Sequence, residues 1–212
     1  MLSKRQDRIQ TVQIIKQAAQ LYKTQLVGKT FLYVFDGRYI EVIYKTANFR
    51  HLTGVDSTLS ANAFFKDAVS GKLQERQIFF SPRHPYALAQ KKLAHIQQLA
   101  QLAGTESLML EEIVTSTKTY KFGTTDLCFS LCFNQELDSS GNPKGSCYVA
   151  ESLRDEDCFS KSKNVFAVTH IFCKSNDQPK YDTLLYHDGS TPLPLEVQEM
   201  LQPGLCHDNP RA

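Results

Sequence analysis

At 212 residues, 42% apolar and 22% charged, the chain can bury one good-sized core, is not disordered in the main, and is too short for two large domains. A net charge of +2, from 24 basic and 22 acidic residues, excludes a polycation that holds nucleic acid by charge alone, and equally an acidic mimic of DNA. No stretch approaches the ~20 apolar residues of a membrane helix, and Met1 to Gln10 is charged rather than leader-like, so a cytoplasmic protein without a membrane partner is expected.

From Arg5 to Val27, Ile9, Val12, Ile15, Ala19, Tyr22 and Leu26 recur at spacings of three and four, which predicts an amphipathic helix stopped by Gly28. Thr30 to Phe35 and Tyr39 to Tyr44 are aromatic and β-branched and flank Asp36-Gly37, the strongest short-range hairpin signal because the tight mirror-image turn needs positive φ. Tyr44 to Gly54 then reads as a loop dense in chemistry, with a histidine, cations, an amide and hydroxyls. Ser60 caps a short helix through Phe64, Phe65, Ala68 and Val69 that Gly71 closes, and Gln77 to Phe80 reads as a short strand or connector. A second helix starts near Pro85, with a stripe of Ala89, Leu93, Ile96, Ala100 and Ala103, and stops at Gly104.

Beyond Gly104 the period changes from helical to alternating. Strands are predicted at Glu106 to Val114 and Thr119 to Phe122. Another follows in which Leu127, Phe129, Leu131 and Phe133 share one face, with Cys128, Ser130 and Cys132 on the other. Asp138 to Gly145 is a polar hairpin loop, Lys144 to Glu151 returns antiparallel, Val165 to Lys174 is a strand, and Tyr181 to Tyr186 closes the sheet. Residues 1–186 read as a single α+β domain, and 187–212, with four prolines and one short helix near Glu196 to Leu201, as a peripheral tail.

The six cysteines read as free thiols, since the chain is larger than a disulfide scaffold and has no Cys-x-x-Cys pair. Four extended residues separate Cys128 from Cys132 by roughly 13 Å, too far for one metal, so no metal site and no cofactor are assigned. Gly-rich phosphate loops, His-Glu-x-x-His helices and Gly-x-Ser-x-Gly turns are all missing from the sequence. His51 stands out instead. An imidazole exchanges protons near neutral pH, and Lys45 and Arg50 beside it suit a phosphate. The competing reading is a loop anchored by hydrogen bonds, which composition alone favours. Ser152 and Arg154 form a second cluster able to hold a phosphate, with Tyr148 as a stacking surface; a cap by Ser152 and an ion pair among Arg154, Asp155 and Glu156 is the alternative. Lys121 either faces the same cleft or is the polar side of a half-buried strand. His170 reads as a packed core histidine, and His84, His95, His187 and His207 carry no assignment.

The run Asn48-Phe49-Arg50-His51-Leu52-Thr53-Gly54 follows the hairpin; a long helical section, Tyr148 with Ser152-Leu153 and a final strand pair come after it. This arrangement resembles the phage barnase-EndoU-colicin-RelE-like nuclease family, fourth group, over roughly Leu26 to Tyr186. The resemblance implies a barnase/RelE-like α+β fold: an N-terminal helix and β-hairpin, central helices and a C-terminal antiparallel sheet. It also implies metal-independent RNA cleavage by a toxin or effector of a phage or mobile element. Carried over by motif, His51 is the acid–base group, Thr53 a hydroxyl aimed at phosphate and Ser152 a polar group across the cleft. Lys121 and Arg154 are added for charge and position, and Lys45, Asn48, Arg50 and Tyr148 as substrate contacts. The motif supplies no carboxylate beside His51, for which Glu41 and Asp56 are candidates. RNA is then the expected partner, with an immunity protein or host target besides. The alternative is a non-enzymatic mobile-element protein that inhibits a host defence factor or captures a nucleotide signal.

Overall fold

The computed structural model describes residues 4–205, so Cys206, His207 and Pro210 lie outside the described residues. Helix α1 runs Lys4–Gln25 and buries Val12, Ile15, Ala19 and Tyr22 of the expected stripe, with Leu26 buried just past its end, whereas Ile9 is exposed. Strands β1 (Lys29–Phe35) and β2 (Arg38–Ile43) form the hairpin, with Asp36 at φ 49° and Gly37 at φ 70° in its turn. The Tyr44 to Gly54 segment, expected as a loop, is helical: a 3-10 turn over Thr46–Asn48 leads into α2 (Phe49–Thr53). Phe49 and Leu52, three residues apart and both fully buried, are what draw it into a helix.

A two-residue strand β3 (Asp56–Ser57) precedes α3 (Ala61–Val69), where the Ser60 hydroxyl accepts from Ala63 N as a cap, and pairs with β4 (Ile78–Phe79). The next helical stripe is broken into α4 (Tyr86–His95), a 3-10 turn and α5 (Leu99–Leu102). Strands β5 (Leu108–Val114), β6 (Thr119–Thr125), β7 (Ser130–Leu137), β8 (Pro143–Arg154), β9 (Asn164–Ser175) and β10 (Thr183–His187) follow, and then α6 (Leu195–Met200). Leu127 and Cys128 do not belong to β7. Leu127 sits at φ 76° in a turn whose backbone is held by Asp126, and Cys128 is exposed there. The five described cysteines are free thiols.

The strands run in the order β1-β2-β8-β7-β6-β5-β9, and β9 pairs back onto β1, closing a seven-stranded barrel. All neighbours are antiparallel except β2 and β8, which run parallel with Val42 opposite Tyr148. This corrects the expected α+β layout with its separate C-terminal antiparallel sheet. It also corrects the role given to the last strand, because β10 adds to β9 outside the barrel and the closure is made by β1. The reason lies in β1, where Phe31 to Phe35 are all buried. Phe31, Tyr33 and Phe35 join the main core, while Leu32 and Val34 pack outward with Phe172, Tyr181 and Val197 of α6. A strand buried on both faces needs a neighbour on each side, and β9 supplies the one that the hairpin cannot.

The first residues of β1, β5, β7 and the last of β2, β6, β8, β9 meet at one opening of the barrel. Helices α1 to α5 gather over it, and their apolar side chains form one core with the barrel interior. Among the described residues the opposite opening carries no α-helix. No described helix is long and apolar enough to cross a membrane.

Candidate active site

In α2 the buried Phe49 and Leu52 leave Arg50 and His51 on the outer side of the helix. Asn48 Nδ2 donates to Ala150 O at 3.0 Å, tying the start of α2 to β8. The Thr53 hydroxyl donates to Arg50 O at 2.6 Å and accepts from Val55 N at 3.3 Å, so it closes the turn after the helix. Gly54 ends α2 at φ 71°. A Cβ there would stand 2.8 Å from Lys92 Cδ and 3.3 Å from Ala89 Cα, so both the left-handed backbone and the approach of α4 demand glycine.

Beside α2 opens a cleft of about 730 Å³, walled by α4, the loop from Ser81 to Pro85, the end of β8 and the tip of the β5–β6 hairpin. His51, His84, Lys92 and Ser152 all line it. At its β8 wall Ser152 lies opposite Cys132 and Ala150 opposite Phe133, leaving Glu151 unopposed in a bulge. A bulge re-aims side chains, and here Glu151, Ser152 and Arg154 all reach the cleft.

The β3–β4 pair sets Asp56 opposite Phe79 and so brings the following loop alongside it. Asp56 Oδ1 meets His84 Nδ1 at 2.7 Å. Burial pushes the Asp56 carboxyl up, but hydrogen bonds from Ser81 and His84 and the nearby Arg50 outweigh it and hold the pKa below the usual range. The His51 pKa is lowered, first by burial and then by the charges of Arg50, Lys92 and His84, with Glu151 pulling the other way. Lys92, whose Nζ donates to His51 O at 3.1 Å, has its pKa pushed down to about 8 by burial and by Arg154.

The acids of the cleft are already committed. Glu151 is held by Lys118 at 2.6 Å and Asn134 at 3.3 Å; Asp155 by His95 at 2.8 Å and Lys91 at 3.3 Å. Glu156 pairs with Lys161 and, at 3.4 Å, with Arg154, whose guanidinium also lies 5.7 Å from the centre of the Tyr120 ring. Arg83 and Lys92 meet no carboxylate among the described residues, so the unneutralised charge of the cleft is positive and faces the two histidines.

A family model described as phage-Barnase-EndoU-ColicinE5/D-RelE like nuclease4 matches residues 14–189. The chain belongs to this nuclease family. No curated protein and no solved structure matches it.

Of the residues singled out from the nuclease motif and its surroundings, the fold brings His51, Ser152 and Arg154 into one cleft. The others sit elsewhere in the nuclease. Thr53 is fully buried in its turn, and Arg50 donates to Leu59 O at 2.8 Å. Lys45 pairs with Glu136, and the exposed Lys121 with Glu112 at 3.3 Å. Tyr148 lies at the helix-free opening, edge-on to Phe122. Glu41 accepts from Tyr181 OH at 2.6 Å, and Asp56 serves His84 rather than His51. His170 is buried and stacked on Phe172, as a packed histidine should be.

Sequence reasoning missed His84, Arg83 and Lys92. The available signal was Ser81-Pro82-Arg83-His84-Pro85, a loop holding a cation and an imidazole between two prolines. Lys92 gives no local signal, because it stands at a polar position of a helix that its apolar stripe already explains. In this nuclease Gly54→Ala is expected to cost about 2 kcal/mol through left-handed strain and overpacking, read from urea unfolding midpoints.

Proposed function

We propose that this nuclease is a metal-independent endoribonuclease acting as a toxin or effector of a phage or mobile element. The observation that supports it most is the convergence on one cleft of two imidazoles, one held by a carboxylate, with two cations that no acid among the described residues neutralises. Cleavage of RNA without a metal needs a base for the ribose 2′-hydroxyl, an acid for the leaving 5′-oxygen and positive charge around the phosphorane.

His51 suits the base, because its lowered pKa keeps the imidazole neutral at neutral pH. His84, held by Asp56 through Nδ1, lines the same cleft and takes the role of the acid that protonates the leaving oxygen. The 2′-oxygen attacks phosphorus, the P–O5′ bond breaks, and the products are a 2′,3′-cyclic phosphate and a 5′-hydroxyl. Lys92 and Arg83 take the phosphate oxygens, and Ser152 and Arg154 line the opposite wall. The phage character in the family's description supports the effector role.

The test is direct. Purified protein incubated with RNA in excess chelator is expected to leave 2′,3′-cyclic phosphate ends. Intact RNA across a broad substrate panel, with the protein folded by circular dichroism, would overturn the reading.

The pKa shifts also set a pH profile. The rate rises as pH climbs through the depressed pKa of His51, below the ordinary 6.5, because the base must lose its proton. It falls again as Lys92 loses its charge at about 8. Lys92→Arg is expected to remove only the share of the alkaline fall that Lys92 contributes, since a guanidinium stays charged, and to leave the acid limb in place. Initial rates across a pH series on both proteins check this. Acid also erodes the fold: with native pKa values below 6.5 for His51 and His170, the unfolded chain takes up protons first, so stability declines as pH falls through 6.5.

A further inference from the structure

At the helix-free opening of the barrel lies a second cavity of about 490 Å³, separate from the cleft. Phe35, Phe122 and Tyr148 line it, with Arg38 and Gln135 at its edge. Phe122 and Tyr148 meet edge to face with centroids 5.0 Å apart, and Tyr148 is only half-buried, so part of its ring borders solvent. Arg38 is clamped on one side, bonded to both oxygens of Glu111 at 2.9 and 3.2 Å and lying over the rings of Phe35 and Phe166. Gln135 is loosely held. Its Nε2 donates over long distances to Ser146 O at 3.3 Å and Gly145 O at 3.4 Å, which leaves Oε1 as an acceptor.

We infer that this barrel mouth is a nucleobase subsite, in which a base of single-stranded RNA stacks on Tyr148 and presents its polar edge to Gln135. The inference rests on the ribonuclease reading and extends it to the substrate. An aromatic-lined cavity with a few polar groups in the mouth of a barrel is a common form of small-ligand site. Stacking suits any base, because each has a π face, and the amide oxygen of Gln135 suits an N–H donor on a base edge.

Two strands connect the sites. β6 presents Tyr120 to the cleft and Phe122 to the mouth; β8 presents Glu151 to Arg154 to the cleft and Tyr148 to the mouth. Three extended residues span roughly 10 Å, within reach of a short strand of RNA running from one site to the other. Lys121 lies between Tyr120 and Phe122 on β6. The Lys121 Nζ lies 5.9 Å from the centre of the Phe122 ring, which places the lysine beside the mouth. The exposed Lys121 is thus beside the path of the backbone, where a phosphate needs a cation.

The test uses binding, with deoxyoligonucleotides that have no 2′-hydroxyl to react. Nuclear magnetic resonance is expected to show uridine and adenosine shifting the ring signals of Tyr148 and Phe122, in the wild type and in His51→Ala alike. Tyr148→Leu, which keeps most of the bulk, is expected to weaken a deoxyoctanucleotide by roughly tenfold, while Tyr148→Phe keeps the stacking and the affinity. Equal affinity in Tyr148→Leu with its melting curve unchanged, or nucleosides that leave both rings unmoved, would overturn the subsite. RNA cleavage measured alongside separates the two readings: a failed subsite leaves cleavage intact, and a failed ribonuclease reading leaves the nucleoside shifts intact.

Discussion

Alanine at His51 or at His84 is expected to lower the rate of RNA cleavage by about 10²–10⁴-fold, the usual contribution of a positioned acid or base. For His51 the loss should come without loss of stability, because the position lies on the outer side of α2 and the helix is held by Phe49 and Leu52. For His84 a modest fall in melting temperature is expected as well, since Asp56 then loses its 2.7 Å partner. The double variant should be little slower than the worse single one, because acid and base act as a unit. Asp56→Asn separates orientation from charge. It keeps the shape beside His84 but allows the amide to donate to Nδ1, which favours the opposite tautomer and turns the wrong nitrogen state to the cleft. Single-turnover rates on one RNA, with melting curves for each variant, measure all four. A His84→Ala protein that cleaves at the wild-type rate would remove His84 from the mechanism and leave His51 without its partner.

Phe49→Ala is expected to destabilise the fold by about 3–5 kcal/mol, the cost of a deep aromatic cavity. Phe49 is fully buried, and its ring lies 5.1 Å from that of Tyr22, 5.2 Å from Phe65 and 6.4 Å from Phe64. It therefore joins α1 and α3 to the short helix that carries His51. A five-residue helix has no stability of its own, so its position depends on this packing. Phe49→Leu keeps much of the volume and is expected to cost less, about 1–2 kcal/mol. Urea midpoints read the stability. If Phe49→Ala melts like the wild type, the aromatic cluster does not anchor the helix.

Several pieces of this protein were legible locally. The Asp36-Gly37 hairpin, the Gly28 and Gly71 stops, the Ser60 cap and the β7–β8 hairpin each depend on residues a few positions apart, and the structure places each near its expected bounds. The Tyr44 to Gly54 segment reads as rich in chemistry but as a loop, because its two anchoring side chains become apolar contacts only when α1, α3 and β8 are present. Barrel closure was not legible. Leu32 pairs with Phe172 across most of the chain, and the one local trace of it is the run of buried residues in β1, which also fits a sheet centre.

The order of residues alone carries the family, the local elements and one histidine set in a chemically dense segment. Which groups stand with that histidine depends on long-range packing. Asp56, a candidate partner for His51 in the chain, is given to His84 by the β3–β4 pair, and Lys92 reaches the cleft because Gly54 lets α4 come close. Thr53 and Lys121, attractive by residue type, are turned into a buried turn and onto an exposed face. The physical reason is common to all of these. A side chain's chemistry is a property of its residue, but its partners are set by which backbones pair and pack at long range, and a closed barrel settles those pairings only when its first strand meets its last long one.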